Sequence, residues 1–216
     1  MILSLRHNFI YIRTKKTGST TIEKVLNENL GPEDIVLRRQ FRVLQPLLKP
    51  GAEIPMRREG SLAPTHVAID QIAPLLRQDF WDSAFKFTSE RHPYEKAVSL
   101  AYMTWSKGDA RRQKRANNDF SSYLDTVVQK GRYAGFPLYS IEGQSVVDDF
   151  IRLETLTADL QRVGKRLGIG IPDELPNERS DSRTDRRPAS QILSGQQKEA
   201  VWNHCRREFE ILGYER

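Results

Sequence analysis

Lys16, Thr17, Ser19, Thr20 and Thr21 set one ammonium and four hydroxyls around Gly18, a mixture suited to a doubly charged oxyanion such as phosphate or sulfate. Lys16 stands before Gly18, and no glycine lies upstream in the loop. The stretch therefore departs from the G-x-x-x-x-G-K-S/T loop of nucleoside triphosphate sites, where the lysine follows the second glycine. Arg91 and Ser99 form a second candidate pair. A guanidinium takes phosphate oxygens in a fork, and a hydroxyl about two helical turns further on can face the same pocket.

The elements that must position these groups are legible as strand-then-helix units. Phe9, Ile10, Tyr11 and Ile12 are aromatic or β-branched and suit a buried strand, and Gly18 permits unusual backbone angles. Ser19 or Thr20 can cap a helix over residues 21–30, with Ile22, Val25, Leu26 and Leu30 at helical spacing and Gly31-Pro32 as its stop. The strand beginning at Phe85 runs into a helix whose first turn holds Pro93, with Ala97, Val98, Ala101 and Tyr102 expected against the sheet. Residues 146–154 read as another strand, and residues 156–167 as its partner helix, closed by Gly168. Further helices are expected over 65–80, with Thr65 as cap and His66 in the first turn, over 119–130, and after the capping box Ser194-x-x-Gln197. Strands followed at once by helices predict an α/β fold around a parallel sheet, and 216 residues suit a single domain over 1–216.

The net charge of +6 favours an anionic partner. Its densest run, Arg111-Arg112-Gln113-Lys114-Arg115, lacks interleaved aromatics and nucleic-acid motifs, so it reads as a solvated loop and no nucleic acid is expected. A single cysteine, Cys205, excludes an intrachain disulfide and any cysteine-rich metal site. The first residues are too quickly charged for a signal sequence, and no apolar run reaches membrane-spanning length, so a cytoplasmic protein without a membrane span is expected. The interval 37–64 is punctuated by prolines and reads as an irregular insertion; residues 178–190 are charged and aperiodic and read as a mobile basic loop. The oligomeric state is not legible.

Lys16-Thr17-Gly18-Ser19-Thr20 after an apolar strand resembles the 5'-phosphosulfate loop of the PAPS-dependent sulfotransferases, the carbohydrate branch in particular. Arg91-His92-Pro93-Tyr94 with Ser99 resembles the same family's 3'-phosphate motif, and Phe150, Ile151, Glu154, Leu156 and Asp159 fit a later pattern that holds the sheet edge. The resemblance implies a P-loop-like three-layer sandwich with a central, mainly parallel sheet flanked by helices. It implies 3'-phosphoadenosine 5'-phosphosulfate (PAPS) as donor, 3',5'-adenosine bisphosphate (PAP) as product, and no metal. Lys16 would be catalytic, Lys15 to Thr21 would bind the phosphosulfate, and Arg91 and Ser99 the 3'-phosphate. Arg183, Arg186 or Arg187 would close over that phosphate from the basic loop. His66 looks like the histidine implicated as general base in glycan 2-O-type members; Glu53, Glu59, Asp70 and Glu90 are the competing bases. The acceptor would be a glycan or another hydroxylated small molecule, bordered by the 37–64 interval, and the absence of a membrane anchor from this sequence leans towards a bacterial enzyme or towards a catalytic domain cut from an anchored one. One departure stands out: relatives often carry Pro directly before the loop lysine, where this chain has Lys15, so the catalytic role could slide by one residue. On the residues alone, a small-molecule kinase and a non-enzymatic binder of anionic glycan or RNA remain open.

Overall fold

Strand β2 (Phe9–Ile12) forms where its aromatic and β-branched residues predict, and all four of them are buried. It belongs to a sheet of five strands in the order β3-β1-β2-β4-β7. The others are β1 (Ile2–Ser4), β3 (Ile35–Val36), β4 (Phe85–Glu90) and β7 (Asp149–Arg152). The computed structural model describes residues 1–37, 47–52, 66–106, 119–176 and 183–216.

The sheet is mixed rather than mainly parallel. β2 pairs in parallel with β4, and β4 with β7, whereas β1 runs antiparallel to both β2 and β3. The reason is local: β1 and β2 are separated by the short turn over residues 5–8, which includes Asn8 at φ 50°, and a connection that short permits only antiparallel pairing. β1 and β3 carry too few residues to show a period in sequence.

Two compact units divide the chain. The first comprises Met1–Thr14, Gly18–Glu90 and Pro137–Pro176. It holds the sheet, helices α1 (Ser19–Asn27), α2 (Gln78–Ser83) and α5 (Leu156–Leu167), and a small hairpin of β5 (Ser140–Ile141) with β6 (Gln144–Ser145). Phe9, Tyr11, Phe87 and Ile151 of the sheet pack with Ile22, Val25 and Leu26 of α1 and with Leu160 and Val163 of α5. Each such fully buried aliphatic or aromatic side chain stabilises the unit by about 1.5–3 kcal/mol. Asp159 Oδ2 accepts from the Arg152 amide at 2.9 Å and so ties edge strand β7 to α5, the edge-holding role its motif implied.

The second unit comprises Lys15–Thr17, Arg91–Phe136 and Asn177–Arg216. It holds α3 (Pro93–Ser106), α4 (Phe120–Lys130), the short α6 (Ala189–Ile192) and α7 (Gly195–Leu212). Ala97, Val98, Ala101 and Tyr102 of α3, expected to face the sheet, pack instead with Leu124 and Val128 of α4 and with Val201, Cys205 and Phe209 of α7. The helical period that marked them as inward-facing cannot say which element they face. Asp119 caps α4, and the Ser194–Gln197 capping box opens α7 as expected.

One expected helix is broken. Residues 66–80 form 3-10 turns at Ile69–Gln71 and Ala73–Leu75, then α2 after Leu76 and Arg77 take extended backbone; Pro74, at the start of the second turn, has no amide to donate to a continuous helix. His66 therefore precedes the first of these turns rather than lying in a helix. The insertion's residues 38–46 and 53–64, Thr65, the Arg111–Arg115 run, and residues 178–182 of the basic loop lie outside the described residues.

Candidate functional site

The register that sets Ile12 beside Thr88 brings the carboxyl ends of β2 and β4 to the same edge of the sheet, the edge at which open α/β sheets bind ligands. Side chains stitch the two ends together. Thr88 Oγ1 donates to the Ile12 carbonyl at 2.7 Å, Thr14 Oγ1 donates to the Ser89 carbonyl, and the Tyr11 hydroxyl meets Ser89 Oγ at 2.8 Å. Burial, partly offset by that Ser89 bond, raises the Tyr11 phenol far above its ordinary range, so it stays protonated.

Beyond β2 the chain is pinned by Arg13, only 4% exposed, which forms an ion pair with Glu23. The same guanidinium donates to Ser19 Oγ at 3.1 Å and to Thr20 Oγ1 at 3.0 Å. These hydroxyls, expected to cap the helix, do not do so. α1 starts at Ser19, earlier than expected, with Gly18 as its N-cap at φ 73° and no side-chain cap. Glycine is favoured at this position by its left-handed backbone, and a Cβ there would stand 2.8 Å from Leu153 Cδ1 and push that side chain aside. Thr21 Oγ1 donates to the Pro176 carbonyl at 3.1 Å. The backbone amides of the first helical turn, which have no partner within the helix, are thus the donors that α1 presents.

Residues 15–17 belong to the helical unit. Lys16 takes φ 61°, a left-handed conformation uncommon outside glycine, and its Nζ reaches Met103 Sδ of α3 at 3.5 Å. Lys15 Nζ donates to the Arg132 carbonyl at 2.8 Å. Desolvation by burial, and then the charges of Arg132 and Lys96, push the Lys15 ammonium below its ordinary value. Thr17 and Lys96 are both wholly buried. Lys15, Lys96 and Arg132 thus lie near enough for their charges to act on one another, and such a concentration of like charge favours an anion.

Arg91 stands at the start of this unit's longest segment, and Glu95 and Ser99 follow it at successive turns of α3. Arg91 Nη2 donates to Glu95 Oε2 at 3.0 Å; Arg183 Nη1 donates to the same oxygen at 2.5 Å. Glu95 Oε1 accepts from the Ala189 amide at 2.7 Å. Burial raises the Glu95 pKa, but the bonds from Ala189 and Arg183 and the Arg91 charge outweigh it and hold the carboxyl below its ordinary range. Arg183 is further fixed by bonds from its Nε to the Asp185 carbonyl, at 2.7 Å, and from its Nη2 to the Arg187 carbonyl. Arg187 pairs with Asp185, whose carboxyl these bonds bring down to about 2, while Arg186 is exposed.

Comparison with family models, curated proteins and solved structures returns no match.

His66 Nδ1 lies 3.1 Å from the Arg13 carbonyl. A carbonyl can only accept, so Nδ1 carries the proton and a neutral ring keeps its lone pair on Nε2. Of the competing bases, Glu90 is buried within β4, Asp70 is exposed, and Glu53 and Glu59 lie outside the described residues. Among the described residues no group of three or more His, Cys, Asp or Glu side chains is placed to hold a metal, and no helix is long and apolar enough to cross a membrane.

Sequence reasoning missed Arg13, Glu95, Lys96 and Arg132. Charged residues default to the surface, and nothing in the spacing of Glu95 and Lys96 marks one as shared by two arginines and the other as buried. Arg13 left a usable signal, a charge at the very end of an apolar strand.

Proposed function

We propose that this chain is a sulfotransferase that moves a sulfuryl group from PAPS to a hydroxyl, or an amine, of a carbohydrate or glycoconjugate acceptor. The observation that carries this reading is that the loop lysine and the arginine motif share one unit. Lys16 rests against Met103 of the helix that also bears Lys96 and Ser99 and follows Arg91, although the two contacting residues are 87 apart in sequence. Lys16 and Arg91, assigned to opposite ends of one nucleotide, thereby belong to the same unit, together with Arg183 from the chain's last third. The α/β architecture supports the reading at the level of fold class, and its parallel part, β2-β4-β7, is the part the two motifs adjoin.

The donor supplies an activated sulfuryl group whose transfer leaves PAP. Positioning and charge stabilisation carry most of such an in-line displacement, as in phosphoryl transfer. Lys16 neutralises the charge developing on the bridging oxygen, and the amides from Thr17 into the first turn of α1 hold the phosphosulfate oxygens. Lys15 and Lys96 add positive charge at that end, while Arg91, Ser99, Arg183 and Arg186 take the 3'-phosphate. His66 accepts the acceptor's proton on Nε2.

Isothermal titration with 3',5'-adenosine bisphosphate, followed by sulfuryl-transfer assays against hydroxylated acceptors, tests this reading. Tight binding of the bisphosphate and transfer without added metal are expected. Turnover of ATP with magnesium and none of PAPS would replace this reading with a kinase. Affinity that collapses with salt and ignores the nucleotide would replace it with a glycan or RNA binder.

A further inference from the structure

We infer that Glu95 is a positioning residue that sets the preference for a 3'-phosphorylated nucleotide by holding Arg91 and Arg183 side by side. The inference rests on the donor assignment proposed above. Two guanidiniums repel each other, and long arginine side chains lose rotamer freedom when fixed, so a pair of them does not converge unaided. Here one carboxylate oxygen takes both, and the second oxygen takes the Ala189 amide at the start of α6. Three pieces of chain are joined on one side chain: the turn after β4, helix α3, and the segment from Arg183 to Ala189. The bonds from Arg183 to the backbone at Asp185 and Arg187 shape that segment into a strap whose fixed point is Glu95.

Charge and exposure suit an anion at this place. Two guanidinium charges against one carboxylate leave the trio with a single positive charge. The Arg91 and Arg183 side chains keep 23% and 15% of their surfaces exposed. A guanidinium has five N–H donors, of which Arg183 spends three within the chain, on Glu95 and on the Asp185 and Arg187 carbonyls, and keeps two. Glu95 thus aligns the two guanidiniums through one shared oxygen. Ser99 stands one further turn along the same ridge of α3 and is half-buried.

The experiment is calorimetric titration of the full chain with 3',5'-adenosine bisphosphate and with 5'-AMP, for wild type, Glu95→Gln and Glu95→Ala. Wild type is expected to prefer the bisphosphate by roughly 100-fold, the worth of two charge-assisted contacts. In Glu95→Ala the bisphosphate should bind about tenfold or more weaker while AMP changes by less than about twofold, because only the 3'-phosphate contacts lose their alignment. Glu95→Gln keeps an acceptor but not the charge, and should fall between the two. A general loss of structure would weaken both nucleotides together, so the ratio separates positioning from unfolding. Hydrogen exchange without nucleotide adds a second readout, with the Ala189 amide losing protection in Glu95→Ala. A folded variant pair whose bisphosphate-to-AMP ratio is unchanged, or raised, overturns the role of Glu95 and leaves the donor assignment standing. Wild type that fails to distinguish bisphosphate from AMP overturns the donor assignment, and this inference with it.

Discussion

The chain leaves β2 through Arg13 and leaves β4 through Arg91, and in each case a glutamate of the following helix takes the guanidinium. Glu23 does so for Arg13 with both side chains almost wholly buried, at 5% and 6% exposure. Glu95 does so for Arg91 with about a quarter of each side chain open to solvent. Arg13 also donates to Ser19 and Thr20, so its fork is used up in fastening the loop to α1. Arg91 shares its carboxylate with Arg183. The same ion-pair chemistry thus stands buried and satisfied at one strand end, where it serves architecture, and half-open and shared at the other, where recognition of the 3'-phosphate is proposed.

The largest effect that would break this contrast is on stability. Arg13→Ala leaves Glu23 buried without its countercharge, and denaturant unfolding should show a loss of about 3–5 kcal/mol. A loss near 1 kcal/mol, typical of a surface pair, would show that Arg13 is not the pin described here. Next comes turnover. Lys16→Ala removes the charge proposed to act on the leaving oxygen, and kcat for sulfuryl transfer should fall by about 100- to 1000-fold with bisphosphate affinity partly kept. A drop below about tenfold contradicts that role; a comparable fall in Lys15→Ala instead would move it to the neighbouring lysine.

Much of the strand and helix order was legible because it rests on local rules. The run Phe9 to Ile12, Pro93 at a helix start, Gly168 after a helix and the Ser194 box each depend on a few adjacent residues. What was hidden depends on contacts made far along the chain. The inward stripe of α3 was visible, but its partners on α4 and α7 were not. Pro74 was visible too, and a stricter reading of its missing amide would have broken the helix expected over 65–80. At the candidate site the basic loop arginines were equivalent in sequence. Only the fold separates Arg183, drawn onto Glu95, from Arg187, spent on Asp185, and from exposed Arg186.

Arg91→Ala sharpens the contrast from the other side. Loss of a half-exposed pair should change stability by less than about 1 kcal/mol. Bisphosphate affinity, however, should fall by about 10- to 100-fold, as expected for charge-assisted bonds to a phosphate. Arg13→Ala measured alongside should show the reverse order of effects among the molecules that remain folded. Equal losses of stability in both variants would erase the distinction between the two strand ends.

The smallest effect is the pH dependence contributed by Glu95. Its folded-state pKa lies below its ordinary value of 4.5, with burial opposing the shift and Ala189, Arg183 and Arg91 producing it. A carboxyl whose pKa is depressed by folding contributes stability that is present above the unfolded value and is lost as pH falls through the folded one. The stability difference between wild type and Glu95→Gln should therefore be flat above about pH 5, then shrink as the pH drops below about 4.5, since both side chains are neutral at the acid limit. Taking the difference cancels Asp119 and Asp159, whose carboxyls are held below their ordinary range by bonds remote from Glu95. A difference that holds constant down to strong acid would mean that Glu95 acts by shape alone. The strap from Arg183 to Ala189 would then be held by its neutral hydrogen bonds, and the two strand ends would differ in exposure but not in how they use charge.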